Sequence, residues 1–220
     1  VEWVTYLSPS GGGERLGAVD DGDVLGCPGE SGLAALLDAG PEALASARAR
    51  ALDAPLEIIA EPEARVCAPL VPEEPVMVGL HGAEAAVHPG LVRGVDDGVA
   101  SGARRARVGL AAVSGSGGAR DAFTIACLWL DASGEPVQLT LGPRLVTADG
   151  LRADPECSVF VADEPVGFAV LTLAGPWPTG GAHRVRVLPL VETPSLEEGD
   201  EVAVDAGELG GFGVRVGSRV

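Results

Sequence analysis

After residue 75 the chain becomes a succession of short apolar runs: "VMVGL", "VGLAAVS", "FTIACLWL", "VQLTLGPRLVT", "CSVFVAD", "RVRVLPLVE", "EVAVDA" and "FGVRVG", mostly bounded by Gly, Pro or Asp. Runs of this length, rich in Val, Leu and aromatic residues, read as strands. Because no helical pattern alternates with them, they do not suit a parallel doubly wound sheet, and their spacing predicts a closed or rolled one. The first third is different. There "EWVTYL", "RLGAVDD" and "DVLGC" read as a small sheet, followed by helical spacing over Ser31 to Leu52 through Leu33, Leu36, Leu37 and Leu44, with a break at Gly40-Pro41. Two more strand candidates, "LEIIA" and "ARVCAPL", lead into "VPEEP", where we place a domain boundary. The expected fold is α+β and β-rich, with a small N-terminal α/β domain over 1–72 and a rolled or barrel-like mixed β core over 73–220. Between the strands, "VRGVDDGVASGARRAR" has weak periodicity and reads as a loop or lid.

Charge narrows the function. The formal net charge of the 220 residues is -17, which repels nucleic acid and anionic lipid alike. All fifteen basic residues are arginine, so a Schiff-base lysine, a P-loop lysine and a lysine general base are excluded. The four cysteines, Cys27, Cys67, Cys127 and Cys157, are far apart and form no C-x-x-C pair. They read as reduced, mostly buried thiols of a cytoplasmic protein, with Cys127 the candidate for reactivity. No apolar run is long enough to span a membrane. The arginine-only basic set, with much Ala, Gly, Val and Asp, has the bias of a GC-rich bacterial gene.

Several segments together resemble the fumarylacetoacetate hydrolase family in order along most of the chain. "VTYLSPSGGGERLGAVDDGDVLGC" is similar to its N-terminal domain, "VMVGLHGAEAAVH" to the entry of its core and "LAAVSG" to its central strand. "DAFTIACLWLDAS" is similar to its metal strand, "LTLGPRLVTADGL" to its Leu-Gly-Pro segment and "ETPSLEEGDEVAVDAGELGGFGV" to its closing hairpin. The resemblance implies a dimer-forming enzyme scaffold in which a divalent cation, held by carboxylates, polarises a keto acid or β-diketone. The implied ligands are missing. The family's Glu-x-Glu pair falls at Arg107 and Gly109 and its third carboxylate at Leu128, while its lysine falls near Glu135 and its histidine at Ala85. We expect no metal and no other cofactor.

Two groups of residues remain as candidates. His81, Glu84 and His88 stand at i, i+3 and i+7, on one face if the segment is helical, as proton relays or as ligands of a displaced metal site. Cys127, Leu128, Trp129 and Leu130 take the place of the metal strand's polar residues, so strand alternation aims some of them where the ion would sit, and Arg144 stands ready for an anionic group. The leading expectation is a metal-independent cyclase or isomerase of bacterial specialised metabolism, including a cycloaddition catalyst. It would fold a hydrophobic polyketide-type substrate in an apolar pocket, as a homodimer with neither nucleic-acid nor membrane partners. The alternatives are a non-catalytic binding or structural subunit, and a metal-dependent hydrolase, decarboxylase or tautomerase using the displaced site.

Overall fold

The computed structural model describes residues 1–29, 32–80, 83–118, 120–174, 177–178 and 183–219. The first part contains strands β1 (Glu2–Leu7), β2 (Glu14–Asp20) and β3 (Asp23–Gly26), helices α1 (Leu33–Ala39) and α2 (Pro41–Asp53), and strands β4 (Ile58–Ala60) and β5 (Arg65–Val66). Gly40 and Pro41 divide the helices as expected. The glycine takes a positive φ that ends α1, and the proline occupies the first turn of α2, where its missing N–H is no loss.

The remainder contains β6 (Val76–Leu80), β7 (Ala83–Val87), β8 (Val92–Arg93), β9 (Arg105–Ser114), β10 (Arg120–Leu130), β11 (Pro136–Leu141) and β12 (Leu145–Thr147), then β13 (Glu156–Val161), β14 (Glu164–Val170), β15 (Val185–Glu192), β16 (Glu201–Asp205) and β17 (Gly211–Arg215). Among the described residues, thirteen strands form one mixed sheet with the central order β1-β12-β10-β9-β15-β6-β7, and β14-β13-β16-β17 form a second sheet. The β-rich α+β expectation therefore holds. The expected loop at 92–107 contains β8 and the start of β9, "VQLTLGPRLVT" is divided between β11 and β12, and β14 had no sequence counterpart. The boundary expected after residue 72 falls between β5 and β6, but the sheet crosses it through the pairing of β1 with β12. One apolar cluster also joins Trp3, Leu16 and Leu36 to Ala111 and Leu128.

The pair β9–β10 is the centre of the molecule, registered from Arg105 opposite Leu130 to Ser114 opposite Arg120. Its two faces enter two different cores. Ala111, Val113, Ala126, Leu128 and Leu130 join the cluster with the α-helices, whereas Val108, Leu110, Ile125, Cys127 and Trp129 join the cluster with the second sheet. A strand pair buried on both faces explains why "FTIACLWL" is apolar at every position except Thr124 instead of alternating.

A polar knot secures the N-terminal strands. Gly17 and Gly26 stand opposite each other on β2 and β3. A Cβ on Gly26 would lie 2.5 Å from the hydroxyl of Tyr6, and one on Gly17 would lie 3.1 Å from its ring, so the glycine pair is the slot that admits this buried tyrosine. The Tyr6 hydroxyl donates to Glu57 Oε1 at 2.8 Å, while Ser8, Ser10 and Arg15 also donate to the Glu57 carboxylate. Burial alone would raise the Glu57 pKa, but these hydrogen bonds and the charge of Arg15 outweigh it and pull the value down to about 2. A depressed carboxylate pKa contributes stability above the ordinary value of 4.5, and that stability is lost as pH falls toward about 2. Glu57→Gln is expected to lower Tm clearly at pH 7, with the difference from the parent protein shrinking as pH drops below 4.5. Thermal unfolding followed by circular dichroism over that range checks it, and a pH-independent difference would overturn the assignment.

Candidate functional site

The position where the family resemblance puts a metal is built from β9, β10 and β15. Arg107 and Leu128 are direct register partners, so their side chains share one face of the sheet, and Glu192 on β15 lies opposite Arg107 on the other side. The Glu192 carboxylate accepts from Arg107 Nε at 2.9 Å and from Arg105 Nη1 at 3.3 Å. Gly109 lies opposite Pro189, beside the irregularity in β15 between Pro189 and Val191. A Cβ at Gly109 would collide with the carbonyl oxygen of Leu188 and approach Pro189 Cα to 2.7 Å, so no side chain fits there. A cavity of about 270 Å³ lies against Gly79, Arg107, Pro189 and Glu192.

This donor set does not fit a divalent cation. Magnesium, calcium and manganese need several hard oxygen ligands, and the nearby acid is already neutralised by two guanidinium groups. Leu128, 0% exposed, packs with Leu130, Leu139 and Leu141.

The other candidates from the sequence do not converge on one site. Cys127 and Trp129 point to the opposite face from Leu128, where Trp129 Nε1 donates to Thr140 Oγ1 at 3.0 Å. Burial pushes the Cys127 thiol well above its ordinary value, which removes it as a nucleophile. Leu130 lies in the apolar core with Leu128. Arg144 is a structural clamp: it holds Glu61 through two hydrogen bonds of 2.7 and 2.6 Å and reaches Glu2 at 2.5 Å. The four residues expected around a pocket fill two cores instead, because both faces of β10 are covered.

His81 lies outside the described residues. The helical face expected for His81, Glu84 and His88 does not form, because β7 pairs antiparallel with β6, with Glu84 opposite Gly79. Sheet pairing overrides the helix propensity of "AEAAV". His88 follows the strand, exposed, with Nδ1 accepting from Gly90 N at 2.9 Å. Among the described residues no group of three His, Cys, Asp or Glu side chains is placed to hold a metal. No helix among them is long and apolar enough to cross a membrane.

A larger apolar cleft lies at the other end of the β9–β10 pair. It encloses about 580 Å³, within the usual size range of small-molecule sites. Leu37, Pro41, Leu44 and Ala45 from the two helices form one wall, and Arg120, Asp121 and Asp149 stand on the other. Arg120 projects over the Trp177 ring at 5.7 Å from its centroid, and among the described residues no carboxylate lies within ion-pair distance of it. Asp121 Oδ2 accepts from Gly115 N at 2.7 Å and so fixes the turn at the cleft's mouth. A hydrogen bond from Thr147 lowers the pKa of Asp149, and one from Arg184 lowers that of Asp38 at the rim, so both are anionic at neutral pH. The cleft thus offers apolar walls, a fixed cation and ionised acceptors. Sequence reading missed it because its residues come from four separated segments. The signal available was the charged pair Arg120-Asp121 at the start of a largely apolar strand.

No protein-family model matches the chain, and no curated protein matches it in sequence. Solved structures match it over nearly its whole length. The maleylpyruvate hydrolase of Sphingobium sp. SYK-6 shares 15% identity, with 98% of each chain covered and a TM-score of 0.76. The fumarylacetoacetate hydrolase of the psychrophile Exiguobacterium antarcticum shares 15%, with 99% of each covered and a TM-score of 0.76. The 2-hydroxyhepta-2,4-diene-1,7-dioate isomerase of Mycobacterium marinum shares 14%, with 97% of each covered and a TM-score of 0.66. At these identities the likeness is one of fold.

Because Leu128 is fully buried among leucines, an acid introduced there is expected to cost stability and gain no ion. Leu128→Asp is expected to lose roughly 4 kcal/mol of unfolding free energy, since it buries an uncompensated carboxyl. Urea denaturation measures the loss, and calorimetric titration with Mn²⁺ should remain flat; manganese binding by this variant would show that the position still favours a cation.

Proposed function

We propose, for a chain that has the fumarylacetoacetate hydrolase fold, that it is a metal-independent isomerase or cyclase acting on a hydrophobic carbonyl compound in the cleft between the helices and the β9–β10 turn. The observation that carries this reading is the pairing of two features: a metal position closed by Leu128, Gly109 and the Arg107–Glu192 ion pair, and an apolar cleft in which Arg120 lacks a carboxylate partner among the described residues. Solved relatives of the fold are named as hydrolases and as an isomerase, and one, the maleylpyruvate hydrolase, is known with manganese and pyruvate bound. Isomerisation and cyclisation neither add nor remove atoms, so they need no activated water.

In this reading the apolar part of the substrate packs on Leu37, Pro41, Leu44 and Ala45, which displaces water and restricts its conformers. The Arg120 guanidinium donates to the carbonyl oxygen and stabilises negative charge developing there. Stacking over Trp177 and attachment to β10 hold that group in place before substrate arrives. Asp149, kept ionised, is a weak base suited to accepting a hydrogen bond from an enolic hydroxyl. Restraint and one oriented cation therefore carry more of the rate than acid–base exchange does. A polyketide-type chain carrying several carbonyls suits such a site.

The first test is a screen of hydrophobic keto compounds for conversion, following displacement of the apolar sulfonate probe anilinonaphthalene sulfonate. Turnover unchanged by EDTA, with Arg120→Ala lowering kcat/KM about a hundredfold in a folded protein, is the expected result. Leu44→Trp, which fills the cleft, should abolish probe binding there. Turnover that vanishes in EDTA and returns with Mn²⁺ would overturn the proposal.

A further inference from the structure

A second cavity, separate from the cleft, is lined by the opposite chemistry. It is open, encloses about 720 Å³ and brings together Arg65, Arg93, Arg215 and Arg219 from three separate stretches of the chain. Its acids are Asp96 and Asp97, so four guanidinium charges against two carboxylates leave two positive charges in a protein of net charge -17. Both carboxylates are already used by the backbone: Asp96 Oδ2 accepts from Val66 N at 2.5 Å and Asp97 Oδ2 from Gly94 N at 2.8 Å.

The arginines are poorly neutralised. Among the described residues Arg65, Arg93 and Arg219 have no carboxylate within ion-pair distance, and Arg215 meets Glu201 only at 3.5 Å with both side chains more than half exposed. Several other arginines are closely matched, as in Arg15–Glu57, Arg48–Asp20 and Arg184–Asp38 at 3.0, 2.9 and 2.8 Å. In so acidic a chain, positive charges gathered without partners repel one another, and an anionic ligand removes that repulsion.

The walls are fixed by backbone structure. Val99 bridges Val216, Val99 N donates to Ser218 Oγ at 3.1 Å, and Arg219 N donates to the Val99 carbonyl at 3.1 Å. β5 is held by β1, β8 by β11 and β17 by β16. Ser218 accepts the Val99 amide, which leaves its hydroxyl proton to donate into the cavity.

We propose that this cavity binds an oligophosphate, a ligand with at least two linked phosphoryl groups, either free or as the diphosphate of a nucleotide. Planar guanidinium groups pair with phosphoryl oxygens through two parallel hydrogen bonds. Several of them around an open, predominantly polar space suit a chain of such groups better than one small anion. The net charge of the whole chain disfavours a long polyanion such as nucleic acid, so the ligand is small.

Isothermal titration of the intact protein with sodium tripolyphosphate, ADP and sulfate at low ionic strength tests this. The expected result is saturable binding of one tripolyphosphate per chain, sulfate at least tenfold weaker, and an at least tenfold loss in the double variant Arg65→Gln/Arg219→Gln. Both residues are exposed, so the variant should retain the parent melting curve; Arg215→Gln offers an independent second variant. ADP binding as tightly as tripolyphosphate would place recognition on the phosphoryl groups, and tighter ADP binding would identify a nucleotide; either supports the site. Absence of saturable binding, equal affinity for sulfate, or affinity unchanged in both variants overturns it.

Discussion

Burial of β9 and β10 on both faces is the constraint from which the rest of the molecule follows. A strand with one wet face can present polar groups to solvent, but a strand inside two cores must carry side chains that are apolar or satisfied within the protein. Trp129 meets this requirement by donating to Thr140, and Thr140 also accepts from Gln138, whose amide reaches the Gly98 carbonyl, whereas Thr124 on β10 and Ser114 on β9 are exceptions whose buried hydroxyls have no hydrogen-bond partner among the described residues. Leu128 meets it by being a hydrocarbon. Charged side chains are thereby pushed to the ends of the pair, where Arg120 at one end and Arg107 near the other still reach solvent.

Arginine serves as the connecting residue of this fold in several places. Arg144 binds Glu61 through a two-pronged contact and ties β12 to the N-terminal strands, while Arg107 and Arg105 share Glu192 and tie β9 to β15. Such contacts depend on a planar cation whose donors match a carboxylate, which lysine does not supply. Their individual contributions are modest because they are partly exposed. Their geometric effect is larger, since each closes a join between segments distant in sequence.

Much of the fold could be read from the residues. The strand runs, the division of the helices at Gly40-Pro41 and the double-sided burial of "FTIACLWL" follow from local pattern and turn chemistry. β7 could not be read this way, because "AEAAV" has a helix former's composition and becomes a strand only by pairing with β6. β14, "EPVGFAV", is mixed in polarity and becomes a strand by pairing with β13. The candidate site was less legible. Cys127, Leu128, Trp129 and Leu130 were rightly placed on a strand through the centre, but whether a central strand faces a pocket or a core depends on what the helices and the second sheet lay over it. The cleft at Arg120 is assembled from the α1–α2 junction, the β9–β10 turn and the segment after β12, and that convergence is a property of the fold alone.

The residues at the positions where the family resemblance would put metal ligands belong together physically. Three carboxylates facing one another are tolerable when a divalent cation lies between them; without it they are like charges in a poorly hydrated place, and each raises the pKa of the others. Partial loss of such a site is therefore unfavourable, since any remaining acid must find a new cation or become protonated. Here the positions hold arginine, glycine and leucine, and the acid that is present, Glu192, has found its cations in Arg105 and Arg107. The close approach of β15 to Gly109 leaves no room for a ligand there, because a side chain at that position would require the two strands to separate.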